Sequence, residues 1–491
     1  MINKYIKRMV ILSFSLTTSF SVSAQLLSND VSQFDVENKL EISPPSFTSD
    51  PEEQIESLSP EEVALRNTVN QYAAQVTKLE AENGAYNDEL VEELISLGQA
   101  FTNLGDHQNA LDIYSRALHI NRVNQGLHNI NQLPILDLII KSNTELNNFE
   151  QLIKNYSYML WVNDRNYEMN DMRRVPAYTR AANWHMEAYD VIDPPASLQH
   201  LILATNFYSK AADIIEESKG PVDPDLINPL YGIFNANFKF VEPYGFVANI
   251  DSFISGKLNP LFPSNFETDF EREQYRRNTY RALDYKPSHL SRIVQDKAYT
   301  FSMIQNSYRS GRNALIKIID IHDKNPELPK LSHAYALAHM GDWYLRFYKR
   351  SFALSYYEQA YQILLGVEYG DQAIENLFGP PRSLGVFEEE PEFEFERYRV
   401  ISSVDLSDES AEAEYEFDSE ELKNSKYVYV QFNISKYGAV RNLEILNANP
   451  EDSVRFRRMA RNTINSTPFR PKLENGQPIV TRNVKMLYRF Q

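Results

Sequence analysis

The stretch LISLGQAFTNLGDHQNALDIYSRAL, Leu94 to Leu118, reads as two short amphipathic helices joined by a turn at Gly105-Asp106. Leu97, Gly98 and Phe101 fall on the first helix, and Ala110, Tyr114 and Ala117 on the second. The same set returns 243 positions later as Met340, Gly341 and Tyr344, followed by Ala353, Tyr357 and Ala360. The chemistry of the pattern is close packing. A glycine on one helix and alanines on the other let the pair approach, and the aromatics fill the gaps between successive helices. Two copies of one hairpin point to a repeat architecture.

These residues resemble the tetratricopeptide repeat, which carries a large residue, Leu-Gly and an aromatic on its first helix and Ala, aromatic, Ala on its second. The resemblance implies an α-helical repeat solenoid over residues 59–380. Weaker copies fill the interval. Leu146, Leu152, Tyr156 and Met159 follow the first copy at a spacing of 42. The segments Ala181–Val191 and Leu201–Glu216 look like a further pair, and the Tyr299–Ile321 region, with Ala314, is expected to supply the pair before the last copy. Gly220 to Lys286, aromatic and broken by proline, fits no unit. The array begins at Ser59-Pro60-Glu61-Glu62, a capping serine followed by proline and two acids.

The chain of 491 residues is long enough for several domains. Lys4, Lys7 and Arg8, an apolar run from Met9 to Val22, and the small residues Val22-Ser23-Ala24 form a secretory signal pattern over residues 1–24. Residues 25–58, acidic and punctuated by prolines, read as a disordered leader. There is no cysteine, so disulfides, thiolate metal sites and a cysteine nucleophile are excluded. A large exported chain without disulfides suits the periplasm of a Gram-negative bacterium. No later segment is long and apolar enough to span a bilayer.

The net charge of −18 argues against nucleic acid as a partner. The charge is also uneven. From Leu422 onward thirteen Lys/Arg stand against four Asp/Glu, a balance of +9 that leaves −27 on the remainder. Gly379-Pro380-Pro381 closes the helical region, and FEEEPEFEFERYRV and DLSDESAEAEYEFDSEE form an acidic linker over residues 381–421, with a short strand expected near Phe393–Ile401. Such a linker is either simply solvated or lies against the basic domain that follows.

That domain, residues 422–491, alternates. Val428, Val430, Phe432 and Ile434 face one way, and Ser435-Lys436-Tyr437-Gly438 makes a turn. The return strand slips phase from Val440 to Leu443 and Ile445, which predicts a bulge. Asn449-Pro450 is expected to cap a helix whose buried face is Phe456, Met459, Ala460, Thr463 and Ile464. Phe469-Arg470-Pro471 and the turn Glu474 to Pro478 lead to a last strand.

This β-β-α-β order, with Gly438-Ala439-Val440, Phe469-Arg470-Pro471 and Gly476-Gln477-Pro478-Ile479-Val480, resembles the TonB C-terminal domain over roughly the last 65 residues. The resemblance implies that a segment of an outer-membrane transporter adds as a strand to the sheet edge. The terminal strand is the expected edge, with Val480, Arg482, Val484, Lys485, Met486, Tyr488, Arg489 and Phe490 as binding residues. The chain departs from TonB-like transducers in lacking a retained anchor, a proline-rich spacer and a Tyr-Pro element. The expectation is therefore an adaptor in TonB-dependent transport, with transporters or components of a TonB system as protein partners. The alternative is a periplasmic scaffold of envelope assembly that self-associates through residues 479–491. No nucleophile elbow, phosphate-binding glycine loop or zinc spacing is present, so no enzyme activity, cofactor or metal is expected.

Overall fold

The computed structural model describes residues 59–192, 196–241, 288–384, 400–405, 407 and 424–490. The expected signal peptide (1–24), the leader (25–58) and most of the acidic linker lie outside them. The chain divides into two compact units, one ending at Ala177 and the other running from Tyr178 to Gln491. The division thus falls inside the helical region.

The first unit contains α1 (Pro60–Asn83), α2 (Leu90–Asn103), α3 (His107–Gln125), α4 (Leu133–Glu145) and α5 (Phe149–Asn166). Helix α1 starts as expected. The Ser59 hydroxyl accepts from the Glu62 amide, and the Glu62 carboxylate accepts from the Ser59 amide. That reciprocal cap satisfies two otherwise orphaned donors. Helices α2 and α3 form the first hairpin, with Leu97, Phe101, Ala110, Tyr114 and Ala117 buried in one cluster with Val69 and Val76 of α1 and Ile135 and Ile139 of α4. Gly98 allows the close approach. A Cβ there would sit 2.3 Å from Tyr114 Cε1, well inside contact distance. Helices α4 and α5 form the next hairpin, and Leu152, Tyr156 and Met159 are buried on it.

Helix α6 (Val175–Val191) crosses the division, and α7 (Ala196–Lys219), α8 (Ile227–Val241), α9 (Ser288–Lys324), α10 (Lys330–Arg346), α11 (Arg350–Leu364) and α12 (Gly370–Phe378) belong to the second unit. Helices α10 and α11 repeat the geometry of α2 and α3. A Cβ on Gly341 would also lie 2.3 Å from a ring carbon, here Tyr357 Cε1. Met340, Tyr344, Ala353, Tyr357 and Ala360 are all buried.

The expectation that Tyr299–Ile321 holds a helix pair is corrected. It is one long helix, α9, and its neighbour is α8 from the stretch that fitted no unit. Helix α8 has its own glycine–aromatic contact, with Gly232 against the Tyr208 ring of α7. Here the aromatic precedes the glycine in sequence, so a scan for glycine followed by tyrosine passes over it.

The C-terminal module contains β1 (Arg382–Ser383), β2 (Val400–Asp405), β3 (Lys426–Ile434), β4 (Val440–Asn449), α13 (Val454–Ser466), β5 (Phe469–Arg470), β6 (Leu473–Glu474), β7 (Gln477–Pro478) and β8 (Thr481–Phe490). Four strands form an antiparallel sheet in the order β2-β8-β3-β4. Its core joins Val428, Val430, Phe432 and Ile434 of β3 to Phe456, Ala460 and Ile464 of α13 and Val484, Met486, Tyr488 and Phe490 of β8. The β3–β4 register shifts twice, leaving Leu446 without a partner on β3 and Asn442 at φ 54°. The phase slip seen in the sequence is this pair of bulges. The helix cap is not Asn449. Ser453 caps α13 through the Phe456 amide, whereas Asn449 ends β4 and donates to the Ser425 carbonyl.

Candidate protein-binding surface

The expected edge is not an edge. Strand β8 lies between β3 and β2, so its outer side is already paired. Val484, Met486, Tyr488 and Phe490 point into the core, where Phe456 meets Phe490 edge-on at 5.3 Å. Lys485 and Arg489 are half-buried, Arg482 is exposed, and the exposed Val480 precedes the strand. The strand that covers β8 comes from the acidic linker. Its described range is Val400–Asp405, and the Phe393–Ile401 segment, where the sequence suggested a strand, lies outside the described residues except for Val400 and Ile401. Val400, Ser402, Ser403, Val404 and Asp405 stand opposite Phe490, Arg489, Tyr488, Leu487 and Met486. Beyond β2, the Ser407 hydroxyl accepts from the Lys485 amide at 3.0 Å. Residues 400–405 and Ser407 of the linker therefore lie against the module, while the acidic tracts on either side fall outside the described residues.

The opposite edge of the sheet, β4, is unsuited to regular pairing. It carries both bulges, and the Leu443 carbonyl accepts from Arg461 Nη1 of α13 at 2.8 Å. Bulges and charged side chains are common means of blunting exposed edges.

A buried ion pair fastens the module to the repeat region. Arg470 Nε donates to Asp342 Oδ1 at 2.8 Å, and Arg470 Nη2 contacts Asp342 Oδ2. The Tyr357 hydroxyl donates to Asp342 Oδ1 at 2.8 Å, and Arg470 Nη1 donates to the Leu377 carbonyl at 3.2 Å. Arg470 and Asp342 are only 5% and 4% exposed, so their charges are almost wholly removed from water. Burial alone would lower the Arg470 pKa, but the Asp342 carboxylate overrides it and holds the guanidinium charged. Burial, then Asp342, pushes the Tyr357 phenol well above its ordinary value.

Backbone bonds extend this latch. β1 pairs with β5, the Leu384 amide donates to the Pro468 carbonyl at 2.8 Å, and the Phe469 amide donates to the Gly438 carbonyl at 2.9 Å. Arg346, fully buried, donates to the Leu384 carbonyl and lies 4.4 Å from the Phe238 ring centre. Phe469-Arg470, expected as part of a separate tethered domain, thus acts as an anchor. Asp342 directly follows the repeat glycine Gly341, and Tyr357 is the ring that packs on that glycine. Nothing in the spacing of the motif marks Asp342 for an ionic role. A lone acid beside a packing glycine was the available signal.

A second polar cluster sits between α6 and α7. His185 Nδ1 and His200 Nδ1 are 2.8 Å apart, both rings are buried, and Trp184 meets His200 edge-on. Burial first and His200 second push the His185 pKa down to about 3, and burial lowers that of His200. Both histidines are held neutral in the fold and take up protons more readily when unfolded. Their contribution is therefore full above the ordinary histidine pKa and is lost as pH falls from there toward 3. Between pH 7.5 and pH 5 the His185 share of this loss is about 2 kcal/mol. Urea unfolding at the two pH values should show it, and a His185→Leu, His200→Leu variant should lose less stability over the same interval.

Among the described residues no group of three or more His, Asp or Glu is placed to hold a metal ion, and no helix is long and apolar enough to cross a membrane. The arrangement is one of packed hairpins, a latched module and a sheet whose last strand is paired on both sides.

These hairpins, with glycine-to-tyrosine contacts in both units, define a protein of TPR-like helical repeats that ends in a small strand-containing region. No family model matches the chain, and no curated protein matches it. Solved structures align with the chain at low identity. One, from Podosopora anserina, is described as a kinesin light chain with nearly identical TPR-like repeats. It has a TM-score of 0.33 and 9% identity, over 56% of this chain and 95% of that chain. Another is BtubC (BKLC) from P. vanneervenii, with a TM-score of 0.32 and 11% identity, over 62% of this chain and 94% of that chain.

Proposed function

We propose that this protein is a periplasmic adaptor of TonB-dependent outer-membrane transport. Its helical repeats hold one protein partner, and its C-terminal module takes an extended segment of another by strand addition. The observation that carries this reading is the β2–β8 ladder, in which the sheet accepts an added strand along the outer side of its last strand. TPR-like surfaces and exposed sheet edges are both protein-binding devices, and neither needs a reacting group.

The test uses the full chain, because the Phe469-Arg470 anchor ties the module to α10 and α12. Labelled peptides from the N-terminal segments of outer-membrane transporters should bind, with a TonB C-terminal domain as positive control. Peptides that bind the control and ignore this chain, even after β2 is released as described below, would exclude the transport role. Concentration-dependent dimers that disappear when β2 is locked to β8 by the disulfide described below would favour the self-associating scaffold instead.

A further inference from the structure

We infer that β2 is a resident stand-in. The outer side of β8 is a docking edge for an extended segment of a partner protein that is followed by acids, and β2 holds that edge until the partner displaces it. The inference rests on the strand-addition reading above and adds to it what the edge selects and what keeps it closed.

Four observations support it. First, the described ladder is short. Among the described residues, β2 pairs with β8 from Met486 to Phe490. Its register also shifts between Val400 and Ser402.

Second, the sequence that joins it to its neighbours is long. Fifteen residues separate Leu384 from Val400, and twenty separate Asp405 from Lys426, enough chain to reach if β2 leaves the edge while β1 and β3 stay in place.

Third, charge sets the kind of partner. Residues 422–491 carry a balance of +9, with Lys485 and Arg489 on β8, while β2 ends on Asp405 and is followed by the acidic run from Asp408 to Glu421, with Arg397 and Arg399 before it. The occupant that resembles β2 is an antiparallel segment of about six residues, β-branched like Val400, Ile401 and Val404, free of proline and followed by acids. Fourth, the other edge offers no rival site of equal quality, because β4 is bulged at Asn442 and Leu446.

The consequence is a closed ground state. If β2 occupies the edge in 90–99% of molecules, a competing strand binds about ten- to a hundredfold more weakly than its intrinsic affinity.

The absence of cysteine from the sequence allows a clean test. In the full chain, Ser402→Cys with Arg489→Cys places two thiols on residues that face each other across the ladder. The probe is a fluorescent peptide with the sequence of residues 398–409. Oxidation should lock β2 in place and abolish probe binding, and reduction should restore it. A second variant, Ser403→Pro with Val404→Pro, removes adjacent amides, one of which must point at β8 in an antiparallel ladder. It should bind the probe about ten- to a hundredfold more tightly than the unaltered chain, and affinity should fall with added salt.

Equal binding by oxidised and reduced protein would overturn the inference, as would no gain in the proline variant with helical content intact. A disulfide formed between two chains would overturn the assignment of β2 to its own chain. The probe also separates this inference from the transport role. Probe binding without transporter-peptide binding sinks only the transport role. Transporter peptides that bind the locked chain as well as the unlocked one sink only the inference.

Discussion

Arg470→Ala is expected to destabilise the second unit by about 3–5 kcal/mol, because it leaves the Asp342 carboxylate buried without its partner. Asp342→Ala should cost a similar amount, since it strands a guanidinium that is 5% exposed. Urea unfolding followed by circular dichroism gives both values. Removing both charges is a different experiment. Asp342→Leu with Arg470→Met replaces the pair by apolar groups of similar size and should recover most of the loss. Tyr357→Phe removes one hydrogen bond to Asp342 Oδ1 and leaves the ion pair, so its cost should stay near 1 kcal/mol. An additive double-mutant cycle for Asp342 and Arg470 would show that the two sites do not act through each other. Loss of the latch should also reach the sheet. Phe469, the residue before Arg470, is fully buried against Phe432, with ring centres 5.6 Å apart.

The repeat hairpins were legible because their signal is local. Gly98 and Tyr114, or Gly341 and Tyr357, lie sixteen residues apart and meet within one hairpin. The alternation of β3 and the phase slip of β4 were legible for the same reason, since a strand's period of two records which face is buried. What escaped is non-local. Helix α8 pairs with α9 across a long stretch of chain that breaks the repeat spacing. Arg470 meets Asp342 from 128 positions away, and neither residue type at its own position announces a buried charge. The edge was misplaced on the same ground. Val484, Met486, Tyr488 and Phe490 announce a strand with one buried face, but the pairing of its outer side depends on which distant segment arrives there. That segment, Val400–Asp405, is a short β-branched run between two acidic tracts, whose charge masks its strand character.

Gly438→Ala should be nearly as damaging as loss of the ion pair, although it removes no interaction. Gly438 closes the β3–β4 turn at φ 73°, with its amide donating to the Ser435 carbonyl at 2.8 Å. An L-residue in that region costs about 1–2 kcal/mol on backbone grounds alone. Steric overlap costs more still. A Cβ would lie 2.0 Å from the Phe469 carbonyl oxygen and 2.9 Å from Leu345 Cδ2. The first neighbour is backbone, so it cannot turn aside as a side chain can. It belongs to the segment that carries Arg470, and moving it disturbs the bidentate contact with Asp342. The expected loss is about 3 kcal/mol or more, with the clash adding to the backbone strain. Two comparisons separate the causes. Gly438→Asn tolerates the positive φ but meets the same carbonyl, so it should rescue little. Gly476→Ala has a similar φ of 77°, but its nearest neighbour is a Tyr361 side-chain carbon at 3.3 Å. It should cost little beyond the backbone strain, about 1–2 kcal/mol. Equal losses at the two glycines in urea unfolding would mean that the Phe469 backbone is free to move, and that the turn and the latch are not one rigid contact.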